Sequence, residues 1–310
     1  MKLLVLFLII IIIYLLIIYK KCDALNRYSF FCFIRGLNKY NNFEVDFATK
    51  IKFIFKFLKI PFNNKQYVDL FHEGGLYGSY MYIYYPKLSQ KLNDKLYWKN
   101  VFIKNNILHP TVYGYNKNHK IKFINKYLQN KYYILKPLNG MGGYGLKKIK
   151  GKDIKKELFT NKNVMIQDIL NDCNTKFSKH YRFVTMYDGT KFLLLEIKSK
   201  IKKKITSNGG NVKYCHNLKC SNLTDYQQKK LNEMLNKLGI LHKTKYSQVL
   251  SIGWDLMMHC NRNSKNDIDI YCLEGNICHS IWPRINLPLI VKDYKKMAKH
   301  FFKSKLGVNL

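Results

Sequence analysis

The chain contains few acidic residues and few arginines. Its 310 residues include 19 aspartates and glutamates against 54 lysines and arginines, which gives a formal net charge of +35. Only five of the cations are arginines, and the lysines are spread along the chain instead of forming a basic tail. Because a dedicated nucleic-acid binder gathers its positive charge on one arm or face, we do not expect nucleic acid as a partner. Hydrophobic residues make up 47% of the chain, which excludes a largely disordered protein.

The eight cysteines include no C-x-x-C pair. This absence argues against the common zinc frameworks and against a disulfide scaffold, and it predicts free thiols in a reducing compartment. The cysteines are Cys22, Cys32, Cys173, Cys215, Cys220, Cys260, Cys272 and Cys278.

Residues 3–19 carry no charge and are flanked by Lys2 and by Lys20-Lys21. No small-x-small cleavage site follows, so the segment predicts an uncleaved transmembrane anchor at residues 1–21 rather than a removed signal peptide. Positive residues are more numerous after the segment than before it. On the positive-inside rule, this predicts a single-pass membrane protein whose large domain lies on the cytosolic side.

Lys136 ends an apolar run at residues 132–135 and precedes four glycines, Gly140, Gly142, Gly143 and Gly145. Glycines let the backbone direct N–H groups at phosphate oxygens, and the lysine supplies a compact positive charge, so the phrase is suited to a triphosphate. Three of the glycines also satisfy the G-x-G-x-x-G pattern of dinucleotide-binding folds.

The residues after the glycine loop distinguish the two alternatives. A short stretch at residues 146–150 comes first, and the helix signal is delayed to Asp153, a predicted N-cap. The predicted order of strand, glycine loop and strand makes a flap over phosphates, whereas a dinucleotide fold begins its helix inside the loop. Protein kinases carry their lysine after the loop, and the chain lacks H-R-D and D-F-G phrases.

Two largely apolar runs, residues 251–258 and 267–276, flank a polar stretch and predict a β-hairpin. A turn centred between Ser264 and Lys265 places Asp255 opposite Glu274, and Asn276 shares the face of Glu274. Two carboxylates and a carboxamide suit Mg²⁺ that also holds phosphates, although solvated acids paired with lysines are the alternative.

The same register bears on zinc. It places His259 opposite Ile270, so the pairs His259-Cys260 and Cys278-His279 lie too far apart along the hairpin to share an ion.

Other local signals are a hairpin turn at Asp188-Gly189 and a helix that begins at Thr224 with a capping-box partner in Gln227 and ends near Gly239. A closing helix is predicted at residues 289–302.

In chain order these motifs resemble the ATP-grasp superfamily, over residues 94–288. Lys95, in the phrase Asn93-Asp94-Lys95-Leu96-Tyr97, is similar to the first nucleotide lysine of the family, and Lys136 with its glycine loop is similar to the second. Residues 164–170 are similar to the linker that recognises adenine, mainly through backbone groups. Asp255, Glu274 and Asn276 match the magnesium set.

Among the subfamilies, the sugar-transfer-associated type is the most similar. The likeness lies in Asn174-Thr175, in residues 181–185, in Ser207-Asn208-Gly209-Gly210 and in the two metal phrases. Where relatives often carry an arginine before the Asn-Gly-Gly phrase, this chain offers Lys198, Lys200 and the run at residues 202–204. The residue that contacts the transferred phosphate is therefore left open.

The resemblance implies an α+β chain with an ATP-grasp fold, in which two α/β subdomains clasp ATP. Together with the uncharged N-terminal run and the aromatic and apolar stretches that follow it, the resemblance divides the chain into the anchor (residues 1–21), a mainly helical lead-in (22–93) and the ATP-grasp domain (94–310). ATP and Mg²⁺ are the implied cofactors. The implied residues are Arg182 and Lys198 for catalysis; Lys95, Lys136, Gly140, Gly142, Gly143, Gly145, Gln167, Asp168 and Leu170 for the nucleotide; and Asp255, Glu274 and Asn276 for the metal. For Arg182, a structural salt bridge is the alternative.

The implied reaction is phosphoryl transfer from ATP to a carboxylate, after which an amine or another nucleophile attacks the acylphosphate. The implied partners are a small-molecule or glycan-linked carboxylate, a nucleophile acceptor, and a membrane bound through the N-terminal helix. Two alternatives stay open. One is an ATP-grasp kinase that phosphorylates a hydroxyl, and the other is a non-enzymatic basic protein that binds a membrane or nucleic acid.

Overall fold

The structure is a computed structural model that describes residues 85–139, 145–170, 177–200, 211–221, 223–260, 267–277 and 288–306. The predicted anchor and nearly all of the predicted lead-in lie outside these residues. Within them, no helix combines the length and apolar character that a membrane span requires. Tyr85–His279 form one compact unit, and a second unit combines Met1–Tyr84 with Ser280–Leu310.

Five α-helices are described. They are α1 (Pro86–Leu92), α2 (Lys95–Lys104), α3 (Ile154–Thr160), α4 (Asp225–Lys245) and α5 (Pro288–Leu306), the last of which belongs to the second unit and confirms the predicted closing helix. The start of α2 is fixed by Asp94, whose carboxylate accepts a hydrogen bond from the Leu96 N–H at 2.8 Å. This cap fixes the chain direction immediately before Lys95.

A first antiparallel sheet contains β1 (Val112–Lys117), β2 (Lys120–Phe123), β3 (Tyr132–Pro137), β4 (Lys147–Lys150) and β5 (Val164–Asp168). Its spatial order is β2-β1-β5-β3-β4. One face packs against α3 through a buried cluster that includes Tyr133, Leu135, Ile166, Ile154 and Leu158. The predicted strands before and after the glycine loop are present as β3 and β4, while residues 140–144 of the loop lie outside the description.

The helix predicted after this loop begins at Ile154, with Asp153 at the N-cap position as expected. The Asp153 side chain makes no capping hydrogen bond, because a 3₁₀ turn at Gly151–Asp153 leads directly into the helix.

A second antiparallel sheet contains β6 (Phe177–Met186), β7 (Lys191–Lys200), β8 (Asn211–Tyr214), β9 (Ser251–Cys260) and β10 (Ile268–Asn276). Its order is β10-β9-β6-β7-β8. The predicted turn at Asp188-Gly189 joins β6 to β7, and Gly189 adopts the positive φ of +82° that the turn requires. This hairpin brings Arg182 beside Asp255, because β6 also pairs with β9.

Helix α4 begins as predicted and ends later than predicted. Both hydrogen bonds of the capping box between Thr224 and Gln227 are present. The helix does not stop at Gly239 but continues to Lys245. Gly239 serves a packing role instead, since a Cβ there would lie 3.1 Å from the carbonyl oxygen of Gly189.

A chain of buried hydrogen bonds joins α4 to the second sheet. His242 Nε2 lies 2.8 Å from the Val249 carbonyl oxygen, and Nδ1 lies 2.7 Å from Thr185 Oγ1. A carbonyl only accepts, so Nε2 carries the proton and Nδ1 accepts from the Thr185 hydroxyl. That hydroxyl in turn accepts from the Trp254 indole N–H at 2.7 Å. The network therefore requires a neutral His242.

We expect His242 to make the domain acid-sensitive. Burial lowers the pKa of His242 to about 4, so between pH 6.5 and pH 4 the unfolded chain takes up a proton that the folded chain does not. The stability from this group is full above pH 6.5 and is lost as the pH falls, by roughly 2–3 kcal/mol at pH 4.5. Denaturant unfolding at pH 8 and pH 4.5 should show a smaller loss in His242→Gln than in the wild type. Equal losses would contradict this account.

The prediction of free thiols is wrong for part of the chain. Cys215 and Cys220 form a disulfide, and Cys260 is also disulfide-bonded. Among the described cysteines only Cys272, which is buried, is free. Disulfides persist mainly in oxidising compartments, so the thiol argument for a reducing compartment no longer supports a cytosolic domain.

Candidate functional site

The hairpin of β9 and β10 has the predicted pairing at its open end and a different register near its tip. Asp255 lies opposite Glu274, as expected, and Asn276 lies opposite Gly253. A β-bulge at Leu273 then shifts the register by one residue. His259 consequently lies opposite Asp269 and not opposite Ile270 as predicted.

The bulge decides which side chains share a face. Cys272 pairs with Leu256, and Glu274 pairs with Asp255, so the extra residue between them places Cys272 and Glu274 on opposite faces of the sheet. Cys272 is buried, as is Leu256, whereas Glu274 lies beside Asp255. A regular strand would have put Cys272 on the same face as Glu274.

Gly275 allows Glu274 and Asn276 to occupy their positions. A Cβ at Gly275 would lie 2.8 Å from Trp98 Cζ2 and 2.9 Å from Trp254 Cζ3. Both indoles are fully buried, and their ring centroids lie 5.2 Å apart. The strand can therefore present two polar side chains on one face only because glycine leaves room for the tryptophans on the other.

Gly275→Ala is expected to destabilise the domain by about 1–3 kcal/mol, because overpacking forces one indole out of place. Chemical denaturation measures the effect. Trp98→Leu removes the ring atoms that a Cβ would touch, so the double variant Gly275→Ala with Trp98→Leu should lose less stability than the sum of the single variants. Strict additivity would contradict the proposed clash.

Lys95 reaches Glu274 from the start of α2. Its Nζ lies 3.1 Å from Glu274 Oε2, and both side chains are largely buried. The Lys95 backbone N–H also donates to the Leu138 carbonyl at 3.2 Å, which ties the start of α2 to the end of β3. Trp98, one turn further along α2, packs against Gly275 and holds the helix on β10.

Lys136 lies at the end of β3 and is only 5% exposed. Burial is the main cause that lowers the pKa of its ammonium to about 8; the charge of Glu274 opposes this, the charge of Lys95 adds to it, and the charge of Asp255 opposes it. A buried ammonium is unfavourable for folding alone. Such groups are typical of binding sites that await an anion.

Arg182 forms a two-pronged ion pair with Asp255. Its Nε lies 2.5 Å from Oδ1, and its second terminal nitrogen lies 3.0 Å from Oδ2. Asn276 Nδ2 donates to the same Oδ2 at 3.1 Å. This salt bridge is the alternative that the sequence left open for Arg182. It places the guanidinium in contact with Asp255, one of the predicted magnesium ligands.

The two carboxylates titrate differently. The pKa of Asp255 is raised to about 6, mainly by burial; the Arg182 charge opposes the rise, and the neighbouring Glu274 charge adds to it. Burial would also raise the pKa of Glu274, but the charges of Lys95 and Lys136 outweigh it and leave that pKa below its ordinary value. Two acidic groups held this close favour a bound cation.

His109 is a site neighbour to which the sequence reading assigned no role. Its Nδ1 lies 2.7 Å from the Pro110 carbonyl oxygen, so Nδ1 carries the proton and Nε2 is left as a buried acceptor without a partner among the described residues. Burial and then the charge of Lys136 lower the pKa of His109 to about 3. In the sequence, only the position of His109 between α2 and β1 could have indicated that it lies near Lys136.

The linker residues lie on β5 and just beyond it. Gln167 is buried, and its Oε1 has no hydrogen-bond partner among the described residues. The Asp168 carboxylate accepts hydrogen bonds from the Tyr113 hydroxyl and pairs with Lys131 at 2.7 Å, and its backbone N–H donates to Thr111. Leu170 follows the strand and is half-buried.

The remaining predicted residues have partial descriptions. Gly145 adopts a φ of +75°, and a Cβ there would lie 2.7 Å from the Pro137 ring, so glycine is required at the end of the loop. Gly140, Gly142 and Gly143 lie outside the described residues. Lys198 pairs through its backbone with Lys179 and Asn211 in the second sheet.

The donor set suits Mg²⁺. Two half-buried carboxylates lie side by side, and rotation of the Asn276 amide would add a carbonyl oxygen to them. These are hard ligands of the kind that magnesium prefers. In the part of the chain that the structure covers, no group of three histidine, cysteine, aspartate or glutamate side chains is arranged to hold a metal. The candidate site therefore depends on the carboxamide and on oxygens supplied by phosphates and water.

No family model and no curated protein matches the sequence. Solved structures do align with this chain. A D-alanine–D-alanine ligase from Bacillus anthracis complexed with ATP aligns with a TM-score of 0.46 and 14% identity, over 70% of this chain and 66% of that one. An L-amino acid ligase from Bacillus licheniformis aligns with a TM-score of 0.41 and 9% identity, over 61% and 41%.

An ATP-grasp ligase complexed with a minimal precursor aligns with a TM-score of 0.41 and 13% identity, over 68% of this chain and 62% of that one. The chain thus spans less than two thirds of each of these three proteins. Likeness at this level does not assign the chain to a family.

Proposed function

We propose that this protein is an ATP-grasp enzyme that uses ATP and Mg²⁺ to join a carboxylate to an amine or another nucleophile. One observation carries the proposal. Three cations from separate elements meet two carboxylates in one cluster that is largely shielded from water: Lys95, Lys136 and Arg182 with Asp255 and Glu274. Shielding five charged groups from water together is unfavourable for folding alone, and it is the arrangement expected where a polyanion and a cation bind.

The two lysines are assigned to the nucleotide phosphates. Lys136 lies next to the end of the strand that leads into the glycine loop, and its ammonium is assigned to the triphosphate over which that loop would close. Lys95 approaches the same carboxylates from the start of α2. The glycine loop is assigned as the flap, whose backbone N–H groups would contact phosphate oxygens. Its glycines are Gly140, Gly142, Gly143 and Gly145.

Asp255, Glu274 and Asn276 are the residues that would hold Mg²⁺. When bound, the ion would neutralise charge on the phosphate oxygens. The protein's own contribution is to hold the carboxylates side by side through the bulge at Leu273 and the glycine at Gly275.

The adenine base of ATP is assigned to the linker at residues 164–170. Residues 167–170 end β5 beside β1 and β3, and Gln167 offers a buried acceptor without a partner among the described residues. Arg182 is assigned to the transferred phosphoryl group, with Lys198 as a second candidate. A sugar-linked precursor is the proposed carboxylate substrate, and it rests on the subfamily resemblance alone.

The proposal includes a membrane anchor at residues 1–21 and a cytosolic catalytic domain. The anchor rests on the uncharged run between lysines and the orientation on the charges that flank it. Protease protection of the full chain in sealed vesicles tests the orientation. The test is informative because the disulfide of Cys215 and Cys220 is more typical of an oxidising compartment than of the cytosol.

The reaction class is tested by incubating the full chain with ATP, Mg²⁺ and pools of carboxylic acids and amines. A ligase releases ADP only when an acid and an amine are both present, whereas a kinase needs a hydroxyl compound alone. A non-enzymatic basic protein releases no ADP in any arm and shows salt-sensitive binding that ignores Mg-ATP. The last result would overturn the proposal.

A further inference from the structure

We infer that Arg182 and Lys95 are internal counter-cations that keep the magnesium carboxylates occupied until a nucleotide binds. The inference rests on the proposed function, because it concerns the same carboxylates. It goes further by stating how the site is regulated, namely that the nucleotide and the metal must bind together.

The first pair shows the geometry most clearly. Arg182 contacts both oxygens of Asp255, at 2.5 and 3.0 Å, and Asn276 donates to one of them. These contacts use the oxygens that a metal would need. A planar guanidinium suits a carboxylate in this two-pronged manner, and it suits a phosphate equally well.

The second pair repeats the arrangement. Lys95 contacts Glu274 at 3.1 Å, with side-chain exposures of 10% and 20%, and the Arg182–Asp255 pair has exposures of 16% and 24%. Ion pairs elsewhere in the unit differ, because Lys117 beside Asp94 and Lys131 beside Asp168 are 48% and 45% exposed. Water screens those lysines, whereas the two site pairs are sheltered and compete directly with an incoming ion.

The charge balance explains the need for a nucleotide. Asp255 and Glu274 contribute two negative charges, and Arg182, Lys95 and Lys136 contribute three positive charges. A lone dication would therefore enter a cluster that is already positive. A triphosphate reverses the balance and gives the three cations new oxygen partners, which frees both carboxylates. Metal and nucleotide then raise each other's affinity by the same factor.

The test titrates the full chain with Mn²⁺, followed by electron paramagnetic resonance, with and without a non-hydrolysable ATP analogue. It is run at pH 7, which lies above the pKa of Asp255 (about 6) and below the pKa of Lys136 (about 8), so both groups are mainly charged. We expect the wild type to bind free Mn²⁺ weakly and the analogue to tighten binding at least tenfold. Arg182→Gln should bind free Mn²⁺ at least tenfold more tightly than the wild type, and the effect of the analogue should shrink.

Lys147→Gln is the matched control, because it breaks the ion pair with Glu157, in which Lys147 is well exposed, and it should leave Mn²⁺ affinity unchanged. Lys95→Gln, which frees Glu274 instead, provides a second variant if Arg182→Gln does not fold. Unchanged free-Mn²⁺ affinity in the folded variants would overturn the inference, yet tight Mn²⁺ binding with the analogue would leave the proposed function standing. No Mn²⁺ binding even with the analogue would overturn both.

Discussion

Replacing Lys136 by methionine is expected to weaken nucleotide binding at least ~100-fold, as loss of a buried charge-assisted phosphate contact should, while leaving the domain at least as stable as the wild type. The lysine is buried, and its pKa of about 8 lies below the ordinary value of 10.5. Below pH 8 the folded state therefore holds a charge that burial disfavours. Methionine fills the same space without that charge, so the free energy of unfolding should rise by up to about 3 kcal/mol.

A substitution that weakens nucleotide binding but does not lower the free energy of unfolding identifies a functional lysine, whereas loss of a structural lysine would lower that free energy. Calorimetry with an ATP analogue measures the first, and denaturant unfolding at pH 7 measures the second. Lys148→Met is the control, because Lys148 is exposed on the neighbouring strand β4. If Lys136→Met bound the nucleotide normally and unfolded more easily, the assignment of Lys136 to the phosphates would be wrong.

Glu274→Gln is expected to reduce Mg-dependent ATP turnover by about 10²–10³-fold, the range seen when one preorganised electrostatic contact is removed from a transition state. The amide keeps the shape of the side chain but removes the negative charge that faces Lys95 and Asp255. Turnover is measured as ADP release in the acid and amine mixture that supports the wild type.

A metal ligand also predicts a partial rescue. Raising the Mg²⁺ concentration should restore part of the activity of Glu274→Gln, because the remaining ligands Asp255 and Asn276 still bind the ion more weakly. Asp269→Asn, on the same strand but beyond the bulge, should retain wild-type turnover. Full activity in Glu274→Gln at limiting Mg²⁺ would contradict the metal assignment.

The sequence paired Asp255 with Glu274 correctly although the register near the turn is one residue off, because the bulge at Leu273 shifts the open end of the hairpin back to the predicted pairing. It was not sufficient to place His259, because the bulge at Leu273 has no local signature. The bulge is specified by tertiary packing, in which Cys272 is buried and its N–H donates to the Leu108 carbonyl at 2.8 Å.

The end of α4 was missed for a related reason. Gly239 has the local signature of a helix terminus, yet the structure uses it where the chain at Gly189 approaches the helix. A contact between residues fifty positions apart is invisible to a local rule. The disulfide of Cys215 and Cys220 was missed because the prediction considered only C-x-x-C spacing.

The partner of Arg182 likewise depended on long-range pairing. The Asp188-Gly189 turn predicted the hairpin that contains Arg182, but not that β6 would pair with β9. Once that pairing is given, Arg182 lies directly opposite Asp255, and the charge cluster follows. Individual motifs were therefore readable, whereas the order of strands in the second sheet, which brings them together, was not.

The central claim is that Asp255 and Glu274 hold a divalent cation against a triphosphate gripped by Lys95 and Lys136. A crystal structure of the full chain with Mn²⁺ and a non-hydrolysable ATP analogue tests it most directly, because manganese gives an anomalous signal. We predict an anomalous peak about 2.0–2.4 Å from an oxygen of each carboxylate, with phosphate oxygens within hydrogen-bond distance of both lysines. A nucleotide bound elsewhere, or both carboxylates still paired with Arg182 and Lys95 in a saturated complex, would contradict the account.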